Sequence, residues 1–79
     1  MSLLTRAYIL EKYGPRMTLA QLAQLLLVSE GTIRNQISAE TFPIPTYKEG
    51  GGRFAPYDAV ADYLDAMSAR ARHNVAAVA

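Results

Sequence analysis

A mainly α fold carrying one short β-hairpin is predicted by three features of the 79-residue chain. Apolar residues recur at i, i+3, i+4 and i+7 in separate stretches, which is the period of amphipathic helices. Glycine and proline punctuate the chain between those stretches. One glycine-rich connection, Glu49-Gly50-Gly51-Gly52, joins two β-prone runs. The length suits a single domain spanning residues 1–79, and a hydrophobic content of 51% is ample for folding.

The first predicted helix covers residues 3–13, with Leu3, Ala7, Leu10 and Tyr13 on a packing face, Ile9 beside them, and Arg6, Glu11 and Lys12 solvated. Gly14-Pro15 stops it, since glycine suits a left-handed cap and proline cannot continue a helix. A second helix is expected over residues 18–26. Thr18 caps it and Gln21, three residues on, completes a capping box. Leu19, Leu22, Ala23 and Leu26 form its apolar stripe, and Val28 is expected as an apolar plug in the turn that follows.

Ser29 caps a third helix over residues 29–39, and Glu30 in its first turn suits the helix dipole. Ile33 and Ile37 face the core, while Thr32, Arg34, Asn35 and Ser38 project outward. Gly31 costs helix stability, and its missing side chain lets the backbone approach a ligand closely. Phe42-Pro43-Ile44-Pro45 favours extended chain. A two-stranded hairpin follows over residues 46–55, with Lys48 and Arg53 on opposite sides of its turn.

Pro56 opens the last predicted helix, residues 56–68, with Asp58 in its first turn and Val60, Tyr63, Leu64 and Met67 as its stripe. Asp58, Asp62 and Asp65 gather away from that stripe as a solvated acidic side. Residues 69–79 are alanine-rich, with Arg70, Arg72 and His73, and either extend the helix or fray. Two short helices with a tight turn, then a hairpin and a closing helix, describe a small winged helix-turn-helix.

Composition narrows the function. There is no cysteine and one histidine, His73, so thiolate and His-rich metal sites are excluded, and no nucleophile–base pair can be assembled. The expectation is a protein that is not an enzyme and takes no cofactor, metal or small-molecule substrate. No apolar run approaches the roughly 18 residues of a membrane span, and no signal-peptide core opens the chain, so a cytoplasmic location without a membrane partner is expected.

The third helix carries the residue types that read DNA. Arginine and asparagine make bidentate contacts to guanine and adenine edges, and serine or threonine near a helix start binds phosphate. Ser29, Thr32, Arg34, Asn35 and Ser38, with Lys48 and Arg53 of the hairpin, are therefore the candidate DNA-binding residues, and double-stranded DNA the expected partner.

The order Val28-Ser29, Thr32-Ile33, Ile37, Phe42-Pro43, Pro45, Arg53-Phe54 and Val60-Ala61-Asp62-Tyr63-Leu64 resembles AlpA-type prophage regulators. It is also similar to phage excisionases and the wider MerR-like winged-helix group. In those families a short helix-turn-helix leads into a two-stranded wing and a closing helix that ends in V-x-x-[WY]-L. Their pattern has glycine where Leu27 stands here. The resemblance, covering roughly residues 18–64, implies a DNA-binding protein of a mobile genetic element, acting in transcription regulation or excision.

Charge qualifies that expectation. Between Ser29 and Phe54, Arg34, Lys48 and Arg53 are matched by Glu30, Glu40 and Glu49, and the whole chain carries +1. Grip on DNA is therefore expected to need self-association or a protein partner already on DNA. The alternative is a protein-interaction or oligomerisation module that retains the winged-helix shape.

Overall fold

The computed structural model describes residues 3–78, with side chains through residue 74. The elements run α1 (Leu3–Tyr13), β1 (Arg16–Thr18), α2 (Leu19–Leu26), α3 (Glu30–Ser38), β2 (Tyr47–Glu49), β3 (Gly52–Pro56) and α4 (Tyr57–Val78). The arrangement is mainly helical and winged-helix-like: α2 and α3 are joined by a tight turn, and a β-hairpin and a closing helix follow.

Local chemistry explains most boundaries. The Thr18 hydroxyl accepts from the Gln21 backbone N–H at 3.2 Å, and the Gln21 side chain accepts from the Thr18 N–H at 3.0 Å, the full capping box. The Ser29 hydroxyl likewise accepts from the Thr32 N–H at 3.0 Å. Gly14 closes α1 at φ +89°, donating its N–H to the Leu10 carbonyl at 2.8 Å. Gly50 supplies the positive φ of 60° that the two-residue turn between β2 and β3 requires.

The sheet has three strands rather than the expected two. Its order is β1-β3-β2, antiparallel throughout, with Met17 opposite Ala55 and Lys48 opposite Arg53. A three-residue strand has no periodicity of its own to announce it, and β1 exists because β3 pairs with it. Pro56 ends β3, so α4 begins at Tyr57 instead of Pro56. The helix then continues through the alanine-rich tail to Val78; Ala79 lies outside the described residues.

The core is formed by Ile9, Met17, Leu19, Leu22, Ala23, Ile33, Ile44, Ala55, Val60 and Ala61. Leu26, Ile37, Phe42, Tyr63 and Leu64 pack against it, partly buried. Three expectations change here. In α1 the inward face is Ile9 and Tyr13, and the Leu3-Ala7-Leu10 stripe points to solvent. Val28 is exposed at 43% and plugs nothing. On α4, Asp62 pairs with Arg6 at 3.5 Å and Asp65 accepts from the Thr5 hydroxyl at 2.9 Å. Two of the three acids thus fasten α4 to α1 instead of forming a solvated side. Among the described residues, no helix is long and apolar enough to cross a membrane.

Candidate nucleic-acid interface

The helix pair α2–α3 is held by Leu19, Leu22, Ala23 and Ile33, all buried. Burying Ile33 and half-burying Ile37 fixes the rotation of α3 about its axis, because these residues are one turn apart. Asn35 lies between them in sequence and so takes the opposite, outward side, together with Gly31. A Cβ built on Gly31 would meet only the Ser29 hydroxyl, at 3.9 Å. The outer side of α3 is therefore a strip with Asn35 exposed at its centre and no side chain over the backbone at Gly31.

Along one flank of that strip, α3 meets the wing. Alternation along β3 puts Arg53 on the same face as buried Ala55, and cross-strand pairing puts Lys48 beside it. Both cations consequently turn toward α3 rather than away from it. A cleft of about 290 Å³ results, lined by Leu19, Arg34, Ile37, Ser38, Lys48 and Arg53. Four of the seven residues expected from sequence thus meet in one place.

The cations are held in different ways. Arg34 donates through Nε and Nη2 to the Glu30 carboxylate at 3.2 and 3.0 Å, an exposed pair one helical turn apart. Such pairs are worth little and exchange readily with a stronger anion. Arg53 donates to the neutral Thr46 hydroxyl at 2.9 Å, which orients the guanidinium without cancelling its charge. No acidic residue lines the cleft.

The remaining expected residues fall elsewhere. Ser29 and Thr32 sit at the start of α3, their hydroxyls 2.8 Å apart, with Ser29 engaged as cap. Thr32 borders a second cleft of about 410 Å³ on the opposite flank of α3, where Leu26, Val28, Phe42 and Tyr63 form an apolar wall. Two further residues, not expected from sequence, stand beside these groups. Gln36, exposed on the Thr32 flank, has the donor–acceptor pair that suits an adenine edge. Its place one turn from Thr32 was readable from helical spacing alone. Thr46 orients Arg53, and only tertiary geometry reveals that.

Arg16 corrects the local charge balance. Its guanidinium lies 3.9 Å above the Phe54 ring and pairs with Glu49. A hydrogen bond to Tyr47, then the Glu49 carboxylate, holds it above the ordinary arginine range. Tyr47, Phe54 and Glu49 occupy the sheet face opposite Lys48 and Arg53. Glu49 is thereby committed to Arg16 and does not answer the cations of the cleft. Of the three acids counted between Ser29 and Phe54, Glu49 goes to Arg16 on one sheet face, which leaves Lys48 and Arg53 together on the other.

No protein-family model, curated protein or solved structure matches this chain. The likeness to AlpA-type regulators rests on the residues quoted above.

Proposed function

We propose that this chain is a sequence-specific DNA-binding protein of mobile-element type, a transcription regulator or an excisionase-like recombination factor. The observation that carries the reading is the basic cleft between α3 and the wing, next to an unobstructed outer strip. In this arrangement α3 enters the major groove with Asn35 and Arg34 toward base edges, and Lys48 and Arg53 take phosphates. DNA displaces Glu30 from Arg34, exchanging a weak surface pair for a charge-assisted contact.

The two phosphate contacts of Lys48 and Arg53 imply a salt dependence of about −1.8 in log K against log salt per bound copy. Site selection from random duplexes, then gel shifts of the selected sequence at rising salt, tests the reading. An enriched sequence bound with that slope supports it. A chain that shifts no duplex even at low salt sinks it.

A second reading, a protein-interaction module, draws on a separate observation. Leu27 is 89% exposed beside the apolar cleft of Leu26, Val28, Phe42 and Tyr63. The two separate by variant: Leu27→Ser abolishes partner capture under the module reading and leaves DNA binding intact under the leading one.

A further inference from the structure

Helix α1 has two unlike faces. Ile9 and Tyr13 turn inward, and Thr5 and Arg6 continue that side by bonding Asp65 and Asp62 of α4. The other side is more apolar than the buried one. Leu3 and Leu4 are exposed over 81% and 82% of their surface, Tyr8 over 52% and Leu10 over 42%, with exposed Ala7 among them. Isolated surface leucines are ordinary, but four large apolar side chains on one 11-residue helix form a patch, with exposed Glu11 set among them and the Lys12 ammonium on the Tyr8 hydroxyl at 3.0 Å.

The pattern of that patch identifies what fits it. Leu3, Ala7 and Leu10 form a stripe of leucine, small residue, leucine, which reads the same in either direction. Laid antiparallel on itself about a two-fold axis at Ala7, it sets Leu3 of one copy against Leu10 of the other. The small residue at the centre lets the two backbones approach. Such self-complementarity is the mark of an isologous contact.

Charge follows the same symmetry. Because Thr5 faces Asp65 and Arg6 faces Asp62, α1 and α4 run antiparallel, and α4 beyond Ser68 overruns the start of α1. Exposed Arg70 and Arg72 lie on that overhang. The two-fold brings Glu11, at the far end of one α1, to the start of the other and so toward its overhang arginines.

We propose that the outer face of α1, flanked by the α4 overhang, is a two-fold self-association surface for a second copy of this chain. The surface is independent of the DNA reading and is measured without DNA. Sedimentation velocity of the full chain is expected to show a concentration-dependent dimer. Ala7→Glu and Leu10→Glu are expected to leave monomers with unchanged circular dichroism, since both positions are exposed. Arg70→Glu with Arg72→Glu weakens the dimer, and adding Glu11→Arg restores it.

The chain has no cysteine, so Ala7→Cys supplies a check that does not depend on the charged variants folding. Mild oxidation should link it into a disulfide dimer, while Gly50→Cys at the wing tip stays unlinked. A monomer at every concentration, a dimer indifferent to Ala7→Glu, or an Ala7→Cys chain that links no better than Gly50→Cys overturns the proposal.

Discussion

The two faces of the three-stranded sheet carry similar cations in opposite circumstances. On the outer face, Arg16 is stacked on Phe54 and paired with Glu49. On the inner face, Lys48 and Arg53 stand side by side and open onto the cleft with α3, where Arg53 donates to a neutral hydroxyl. A cation whose charge is already answered organises the fold. One held by a neutral partner keeps its charge available for a ligand. Strand alternation alone decides which is which, because residues one apart in β2 and β3 point to opposite faces.

Removing the two kinds of cation should therefore break different things, and this is the largest effect expected. Lys48→Ala combined with Arg53→Ala should lower DNA affinity by roughly one to two orders of magnitude, for all sequences alike. It should also flatten the salt slope by about 1.8, or 0.9 for each lost phosphate contact. Arg16→Ala should leave that slope alone and instead lower the melting temperature, since it unstacks Phe54 and strands Glu49. Gel shifts at several salt concentrations, with thermal melts, separate the two. A slope that falls equally on Arg16→Ala would erase the distinction between the faces.

Next in size is the contrast between gripping and reading. Asn35 lies outside the cleft, on the outward side of α3, with no charge to contribute. Asn35→Ala should cost about 1–3 kcal/mol on the preferred sequence and almost nothing on random DNA. Competition of specific against nonspecific duplex measures that difference directly. An equal loss on both would assign Asn35 to the backbone and move base reading elsewhere on α3.

The parts of this design that local chemistry governs were legible in the sequence. The Thr18–Gln21 capping box, the Ser29 cap, the α2 stripe and the glycine turn each depend on residues within one turn of one another. What escaped depends on distant partners. α1 offers two candidate inward faces, and spacing favours Leu3-Ala7-Leu10 as the more apolar. The fold buries Ile9 and Tyr13 instead, and on that side Thr5 and Arg6 meet carboxylates 60 and 56 residues away. β1 is three residues made a strand by β3, and Ile44, set between two prolines, gave no periodic sign of being core. The candidate interface was similarly divided. Its residue types and the outward side of α3 were readable, but the basic character of the cleft was not. That depends on Glu49 crossing to Arg16, whereas a count along the chain charges it against Lys48.

Gly31 tests whether the outer strip is used at all. A glycine in the first turn of α3 costs helix stability, and nothing within the protein occupies the space its side chain would fill. Gly31→Ala should therefore raise stability by about 0.5–1 kcal/mol. If the α3 backbone approaches DNA closely, the added methyl should weaken binding at the same time. Urea melts and gel shifts on one variant read both. A more stable protein that binds DNA undiminished would mean that the outer strip is not the contact surface.

The smallest effect concerns the turn that sets α3 against α2. α1 ends on Gly14 in the left-handed region, as helices commonly do, but α2 ends on Leu27 at φ 60° and ψ 39°. A side chain in that conformation costs about 1–2 kcal/mol, and glycine there avoids the clash at an entropic cost of about 0.5–1 kcal/mol. Leu27→Gly should thus stabilise the protein by only a few tenths to about 1 kcal/mol. The turn itself is held by backbone, with the Val28 N–H donating to the Ala23 carbonyl at 3.1 Å, so the path of α3 should not change. Since Leu27 contributes little to the core at 89% exposure, no packing loss offsets the gain. A melting temperature that falls on Leu27→Gly would show that this leucine is covered in the working protein, and would turn attention from the basic flank of α3 to its apolar one.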